Sequence, residues 1–134
     1  MKVFIVDDSS VVRDRLRLML SEIKKVDIVG EADNVVVALR MIREIPSELI
    51  ILDIRLKGGN GFDLLKLIKK SFSHMKVIML TNYPYAQYRR RALEMGADYF
   101  FDKSTEFERV VEVAKFLTNN SLDRKLMEKD KNEG

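Results

Sequence analysis

Short apolar runs alternate along the chain with longer stretches whose apolar residues recur at helical spacing, and the alternation repeats five times. The segments that read as strands are Lys2 to Val6, Asp27 to Glu31, Glu48 to Leu52, Lys76 to Leu80 and Asp98 to Phe101. Two of them, Val3-Phe4-Ile5-Val6 and Leu49-Ile50-Ile51-Leu52, are apolar at every position. A strand with no polar face is buried on both sides, as in a parallel sheet covered by helices above and below.

The intervening stretches read as helices. Val12, Leu16, Met19, Leu20 and Ile23 fall on one helical face; Val35, Ala38, Leu39 and Ile42 do the same before Pro46 stops the pattern. A third helix is predicted from about Gly61 through Leu64, Leu65 and Ile68, and a fourth from near Pro84 to Gly96, a good residue just past a helix end. Thr105 and Glu108 have the spacing of a capping box for a fifth, continuing through Phe107, Val110, Val111, Ala114 and Leu117. Residues 119–134 are polar and Lys-rich, with only Leu122, Leu126 and Met127 suggesting a further turn, and read as a frayed tail or the start of a linker. Residues 1–118 are thus expected to form one domain. Five β units joined by helical crossovers predict a doubly wound α/β architecture, a five-stranded parallel sheet between two helical layers.

Composition narrows the chemistry. A chain of 134 residues, 46% hydrophobic and 34% charged, suits a single packed core and is too apolar for a disordered protein. With no cysteine, disulfides, thiolate nucleophiles and zinc-thiolate sites are excluded. No apolar run approaches the length of a membrane span, and a cytoplasmic location is expected. The net charge of +3 is weak evidence for nucleic acid, because both signs are interspersed and Arg89-Arg90-Arg91 would fan around a helix.

In open parallel sheets, ligands bind beyond the carboxyl ends of the strands. There the first strand runs into Asp7 and Asp8, the third into Asp53 and the fourth into Thr81, while Lys103 follows the fifth by two residues. Three carboxylates in a half-buried cleft repel one another and call for a cation. An all-oxygen donor set implies a hard ion, Mg²⁺ or Mn²⁺, with positions left for phosphate oxygens. Lys103 and the Thr81 hydroxyl would add a positive charge and a donor, the complement of a phosphoryl group. With no cysteine, and with the single histidine, His74, expected in a loop elsewhere, Asp53 is the favoured nucleophile because it ends the most apolar strand, between the others.

Phe-Ile-Val-Asp7-Asp8-Ser, Leu-Ile-Ile-Leu-Asp53, Val-Ile-Met-Leu-Thr81 and Gly96-Ala-Asp-Tyr-Phe-Phe-Asp-Lys103, in that order, resemble the receiver domain of two-component response regulators over roughly residues 1–118. The resemblance implies a flavodoxin-like sheet of order 2-1-3-4-5. It implies a metal held by Asp7, Asp8, Asp53 and the backbone carbonyl of Arg55, and a phosphoryl group taken by Asp53 from a histidine kinase, a phosphotransfer protein or a small phosphodonor. Lys103 would pair with that group, Thr81 would move to bond it, and Phe100 would turn inward as the switch aromatic. The responding surface would be the fourth helix, fifth strand and fifth helix, facing an output protein. On this reading the chain is a stand-alone switch rather than an enzyme, with no membrane partner and no nucleic acid of its own.

Several residues depart from the commonest pattern of that family. Leu56-Lys57 stands where many members have Met-Pro, although Gly61 is where the family expects it; Asn82 stands where a smaller residue is usual, and Ser104 where a cis proline is common. Arg55 and Tyr83 stand where the family tunes phosphoryl lifetime, and two bulky groups there are expected to slow hydrolysis by shielding.

Each residue also has a plainer role. Asp7-Asp8-Ser9 could simply cap the first helix, and Lys103 and Thr81 could be ordinary strand-end residues; their joint placement at one sheet edge favours the site. One of Phe100 and Phe101 is expected in the core and the other only partly buried. Tyr83, Tyr85 and Tyr88 lean toward partner contact rather than cover for the sheet. Two other functions compete with the switch. An aspartate-nucleophile phosphatase of the haloacid-dehalogenase type would need a second Asp two positions after the first, where this chain has adjacent acids and then Ser9. A DNA-binding regulator would need a further domain, of which this chain would be a fragment.

Overall fold

The computed structural model describes residues 1–120, and the tail expected from residue 119 lies outside them beyond its first two positions. The elements run β1 (Lys2–Val6), α1 (Ser10–Ser21), β2 (Asp27–Ala32), α2 (Val35–Glu44), β3 (Leu49–Leu52), β4 (Arg55–Leu56), β5 (Gly59–Asn60), α3 (Gly61–Ser71), β6 (Lys76–Thr81), α4 (Ala86–Glu94) and β7 (Tyr99–Asp102). A final helix, α5, occupies 109–120. The main sheet has the order β2-β1-β3-β6-β7 and every pairing in it is parallel. That is the expected doubly wound arrangement, five strands in the order 2-1-3-4-5 of the flavodoxin-like receiver fold.

Alternation along the strands sorts the core into two layers. Phe4, Val6, Ile50, Leu52, Val77, Met79 and Phe100 face one way and pack with Ala38 and Ile42 of α2, Leu64, Leu65 and Ile68 of α3, and Ala92 of α4. Val3, Ile5, Leu49, Ile51, Ile78, Leu80 and Phe101 face the other way, against Leu16 and Leu20 of α1 and Val110 and Ala114 of α5. Strands β1, β3 and β6 are covered on both faces, which is why their sequences lack a polar side. Phe100 and Phe101 are both buried, one in each layer, so neither is the half-exposed residue expected from the sequence. A strand flanked by helices on both faces has no solvent side for alternation to reveal.

Three details differ from the sequence reading. After β3 the chain makes a small antiparallel hairpin, β4 with β5, whose turn holds Gly58 at φ 72. Two-residue strands are too short to show periodicity. Helix α4 begins at Ala86 with Tyr85 as its N-cap, so Pro84 precedes the helix rather than opening it. Gly96, at φ 102, does close it, with the Ala97 N–H donating to the Ala92 carbonyl.

The Thr105–Glu108 capping box does not form. Asp102 organises that turn instead: its carboxylate accepts from the Ser104 N–H at 2.8 Å and the Thr105 hydroxyl at 3.2 Å. The Asp102 N–H in turn donates to Glu106 Oε1 at 3.2 Å, and the regular helix starts only at residue 109. Asp two residues before Ser is itself a turn signal, and this local bond outcompetes the cap.

Candidate functional site at the carboxyl edge of the sheet

Register fixes which side chains meet. Val6 is the partner of Leu52, and the Asp53 N–H donates to the Val6 carbonyl at 3.0 Å, so Asp7 and Asp53 leave neighbouring strand ends side by side. This is where the strand order reverses, the point at which an open α/β sheet has a crevice. Thr81 is the partner of Asp102, and the Lys103 N–H donates to the Thr81 carbonyl at 2.9 Å, which carries Lys103 over the same edge.

The Lys103 ammonium lies between two carboxylates, 2.7 Å from Asp7 Oδ2 and 2.8 Å from Asp53 Oδ2. The other oxygens are also engaged: Asp7 Oδ1 accepts from the Ser9 N–H at 2.9 Å, and Asp53 Oδ1 from the Ile54 N–H at 2.7 Å. Asp7, Asp53, Thr81 and Lys103 are all buried, whereas Asp8 is exposed at the rim. Burial, the largest influence on Asp53, holds its carboxyl above the ordinary carboxylate value; Asp7 adds to this, while Lys103 and the Ile54 N–H oppose it. Burial also works against the Lys103 ammonium, but its bonds to Asp53 and Asp7 outweigh that and keep it above the ordinary lysine value. The two directions agree because one ammonium serves two carboxylates, so the trio keeps a net negative charge with little water to screen it.

Asp7, Asp8 and Asp53 each offer an oxygen within 4.8 Å of the others. Three carboxylate oxygens converging beside an unbalanced negative charge fit a hard divalent ion. The capping alternative is resolved by Ser9, the actual N-cap of α1, whose hydroxyl accepts from the Val12 N–H at 3.3 Å. Asp8 is thereby left for the cleft.

Thr81 is fully buried, and its hydroxyl oxygen accepts from the Tyr83 N–H at 3.0 Å, leaving its own proton to donate. Arg55 stacks its guanidinium 3.8 Å from the centre of the Tyr83 ring, so the two residues singled out as a pair in the sequence are in direct contact. Phe100, the expected switch aromatic, is already turned inward, with the Arg89 guanidinium 5.0 Å from its ring centre. His74 sits in the exposed turn before β6, away from this edge, as expected.

Two contributors were given no role in the site from the sequence. The Arg13 guanidinium donates to the Asp7 backbone carbonyl at 2.5 Å, tying α1 to the first acidic residue. Gly61 packs against the strand end itself: a Cβ there would lie 2.0 Å from the Asp53 carbonyl oxygen, and its N–H donates to the Ile54 carbonyl at 2.6 Å. Only glycine permits that approach, which closes the β4–β5 excursion back onto Asp53.

The comparisons define the class. The family model for the response regulator receiver domain matches residues 3–115, and the chain belongs to that family. The sensory transduction protein LytT of Bacillus cereus is 35% identical over 115 residues, 86% of this chain and 46% of that protein. The response regulator domain of CheB from Thermotoga maritima superposes with a TM-score of 0.77 at 26% identity, covering 92% of this chain and 96% of that one. A DNA-binding response regulator of the LuxR family from Staphylococcus aureus gives a TM-score of 0.78 at 25% identity, over 85% of this chain and 95% of that one. The chain spans about half the length of LytT.

Proposed function

We propose that the protein accepts a phosphoryl group on Asp53, with Mg²⁺ held by Asp7, Asp8, Asp53 and the Arg55 backbone carbonyl, and that the modified site alters a protein-binding surface. The observation that carries this is Lys103 shared between Asp7 and Asp53 inside a buried, net-negative pocket that also holds a third carboxylate within ligand distance. Such a pocket is short of positive charge until a cation enters, and with the cation it suits an incoming anionic group with three oxygens. When bound, the ion would neutralise and orient phosphoryl oxygens; Mn²⁺ would serve equally as an all-oxygen binder.

The chain's own residues do the rest. Asp53 supplies the attacking oxygen, and the Arg55–Tyr83 pair, each residue two positions beyond a site residue, limits the directions from which the donor approaches. Lys103, already bonded to Asp53, neutralises charge on the transferred group. The Thr81 hydroxyl proton, at the end of the strand beside β3, is uncommitted, and drawing it toward the modified Asp53 would pull on the Tyr83 N–H. Receiver domains work with histidine kinases, so the donor is a kinase, a phosphotransfer protein or a small phosphodonor. The protein is a phosphoacceptor that assists its own modification rather than an enzyme turning over a separate substrate, and it acts in the cytoplasm as a domain ending near residue 118. The fourth helix, fifth strand and fifth helix (α4, β7, α5) form the responding surface, with Thr81 as the moving part and Phe100 as the switch aromatic whose inward position the Thr81 shift would hold.

A second reading of the output is favoured by the relatives. LytT is about twice the length of this chain, and another neighbour is named as DNA-binding, so a receiver of this kind also serves attached to a nucleic-acid-binding domain.

Incubation with phosphoramidate and Mg²⁺, followed by intact mass measurement, should add one phosphoryl group to the wild type and none to Asp53→Ala. Addition to the variant, or addition in the presence of a chelator, would overturn the assignment.

A further inference from the structure

A chain of cation and aromatic contacts starts at the site and runs along the seam between α3 and α4, on the α3 side of the helix that also borders the proposed output face. Arg55 covers Tyr83 at 3.8 Å; Tyr83 meets Tyr85 at 6.4 Å between ring centres, Tyr85 meets Tyr88 at 5.4 Å, and Tyr88 meets Phe62 of α3 at 5.7 Å. Arg91 closes the row, its guanidinium 4.4 Å from the centre of Phe62. Tyr85 is 52% exposed.

Charge along this row is unbalanced. Arg55, Arg91 and Lys66, one turn beyond Phe62 on α3, are exposed and make no ion pair among the described residues, whereas Arg89, at the back of α4, is 3.6 Å from Glu106. The three tyrosines make ring contacts and main-chain bonds, and their hydroxyls bond no other described group. Tyrosine and arginine at the centre of a patch are the residue types that carry protein recognition, with phenolic and guanidinium donors suited to carboxylates.

We infer that the α3–α4 seam is a docking site for an acidic, helical protein segment that lays an apolar stripe on Tyr85 and Tyr88 and carboxylates against Arg55, Lys66 and Arg91. Single-stranded nucleic acid, the other polyanion that favours aromatic and basic surfaces, is disfavoured by the rings themselves. Arg55 and Arg91 cover the Tyr83 and Phe62 faces, and Tyr85 and Tyr88 meet edge to face, so the row offers no run of parallel open faces on which successive bases could stack. The row is joined to the site because the Tyr83 N–H is bonded to Thr81 Oγ1. Docking is therefore coupled to modification of Asp53, and this coupling rests on the function proposed above.

The test uses a capped helical peptide of Glu and Leu at i, i+3, i+4 spacing, its Lys-for-Glu counterpart, and an oligo-dT strand, titrated into the full chain by NMR before and after phosphoramidate treatment. The acidic peptide should shift resonances at Phe62, Lys66 and residues 83–91, the Lys peptide should not, and Tyr85→Ala and Arg91→Glu should each weaken binding about tenfold. Arg109→Glu, on α5, should leave it unchanged. The phosphorylated protein should bind the acidic peptide with an affinity at least about threefold different, a change of roughly 0.7 kcal/mol. Binding confined to α5, equal response to the Lys peptide, or stronger binding of oligo-dT overturns the docking site; equal affinity before and after modification overturns the coupling. Intact mass of the same variants separates the two claims, since both should still take up one phosphoryl group.

Discussion

The two ends of the sheet hold lysine–aspartate clusters of opposite stoichiometry. At the carboxyl edge one lysine serves two carboxylates, and all three side chains are at most 6% exposed. At the amino edge one carboxylate serves two lysines: Asp98 is 2.9 Å from Lys69 and 3.6 Å from Lys76, and also accepts from the Val77 N–H at 2.8 Å. Lys69 donates further to the Met75 carbonyl at 2.9 Å, so this second cluster staples the end of α3 to the starts of β6 and β7. Its excess is positive, partly exposed and dispersed by water. The first cluster keeps excess negative charge where water is scarce. The same residue types therefore make a fastening at one edge and a receptive pocket at the other, and what separates them is the count of charges and the depth of burial.

The largest expected effect comes from removing the one cation of the buried cluster. Lys103→Met should cost about 3–5 kcal/mol of folding stability in urea, because Asp7 and Asp53 are left facing each other unpaired. Millimolar Mg²⁺ should restore a greater part of that loss than it adds to the wild type; a loss below roughly 1 kcal/mol would break the contrast between the edges. Gly61→Ala should cost about 3 kcal/mol, since its Cβ meets the Asp53 carbonyl oxygen, and should also lower phosphoryl uptake at fixed phosphoramidate. Unchanged uptake would show that the β4–β5 excursion does not position Asp53.

Removing a carboxylate should act in opposite directions at the two edges. Asp53→Asn leaves one lysine with one carboxylate and should raise stability by about 1 kcal/mol, whereas Asp98→Ala strands Lys69 and the Val77 N–H and should lower it by about 2 kcal/mol. Equal signs in matched urea titrations would dissolve the distinction. The smallest effect concerns the Arg55–Tyr83 pair. Arg55→Ala and Tyr83→Ala each remove one half of a contact worth roughly 0.5–1 kcal/mol, and each should shorten the phosphoryl half-life by a few-fold. An unchanged dephosphorylation rate in both would show that the pair does not shield the group.

Much of the site was legible because it lies at strand ends. Asp7, Asp53 and Thr81 are each the first polar residue after an apolar run, Lys103 is the second, and parallel strands in register must bring such residues to one edge. Arg13 and Gly61 were not legible as parts of the site. An arginine on a polar helix face carries no mark of the backbone carbonyl it will reach. A glycine nine residues past the end of the apolar third strand shows its purpose only once the hairpin folds it onto Asp53. The turn after Lys103 misled for a related reason: Thr105 and Glu108 have capping spacing, but Asp102 captures Ser104 and Thr105 first and delays the helix to residue 109.

Periodicity and residue type by themselves determined the strand and helix succession, the doubly wound class and the edge at which the acids gather, since each depends on local pattern and on the one-handed geometry of parallel crossovers. The tertiary structure alone decided that one ammonium is divided between Asp7 and Asp53, that Phe100 and Phe101 are both buried in opposite layers, and that Arg55 lies on Tyr83. Those facts depend on distances of a few ångströms between residues far apart in the chain, and on how much water the packed layers exclude. Neither quantity is written in the order of the residues.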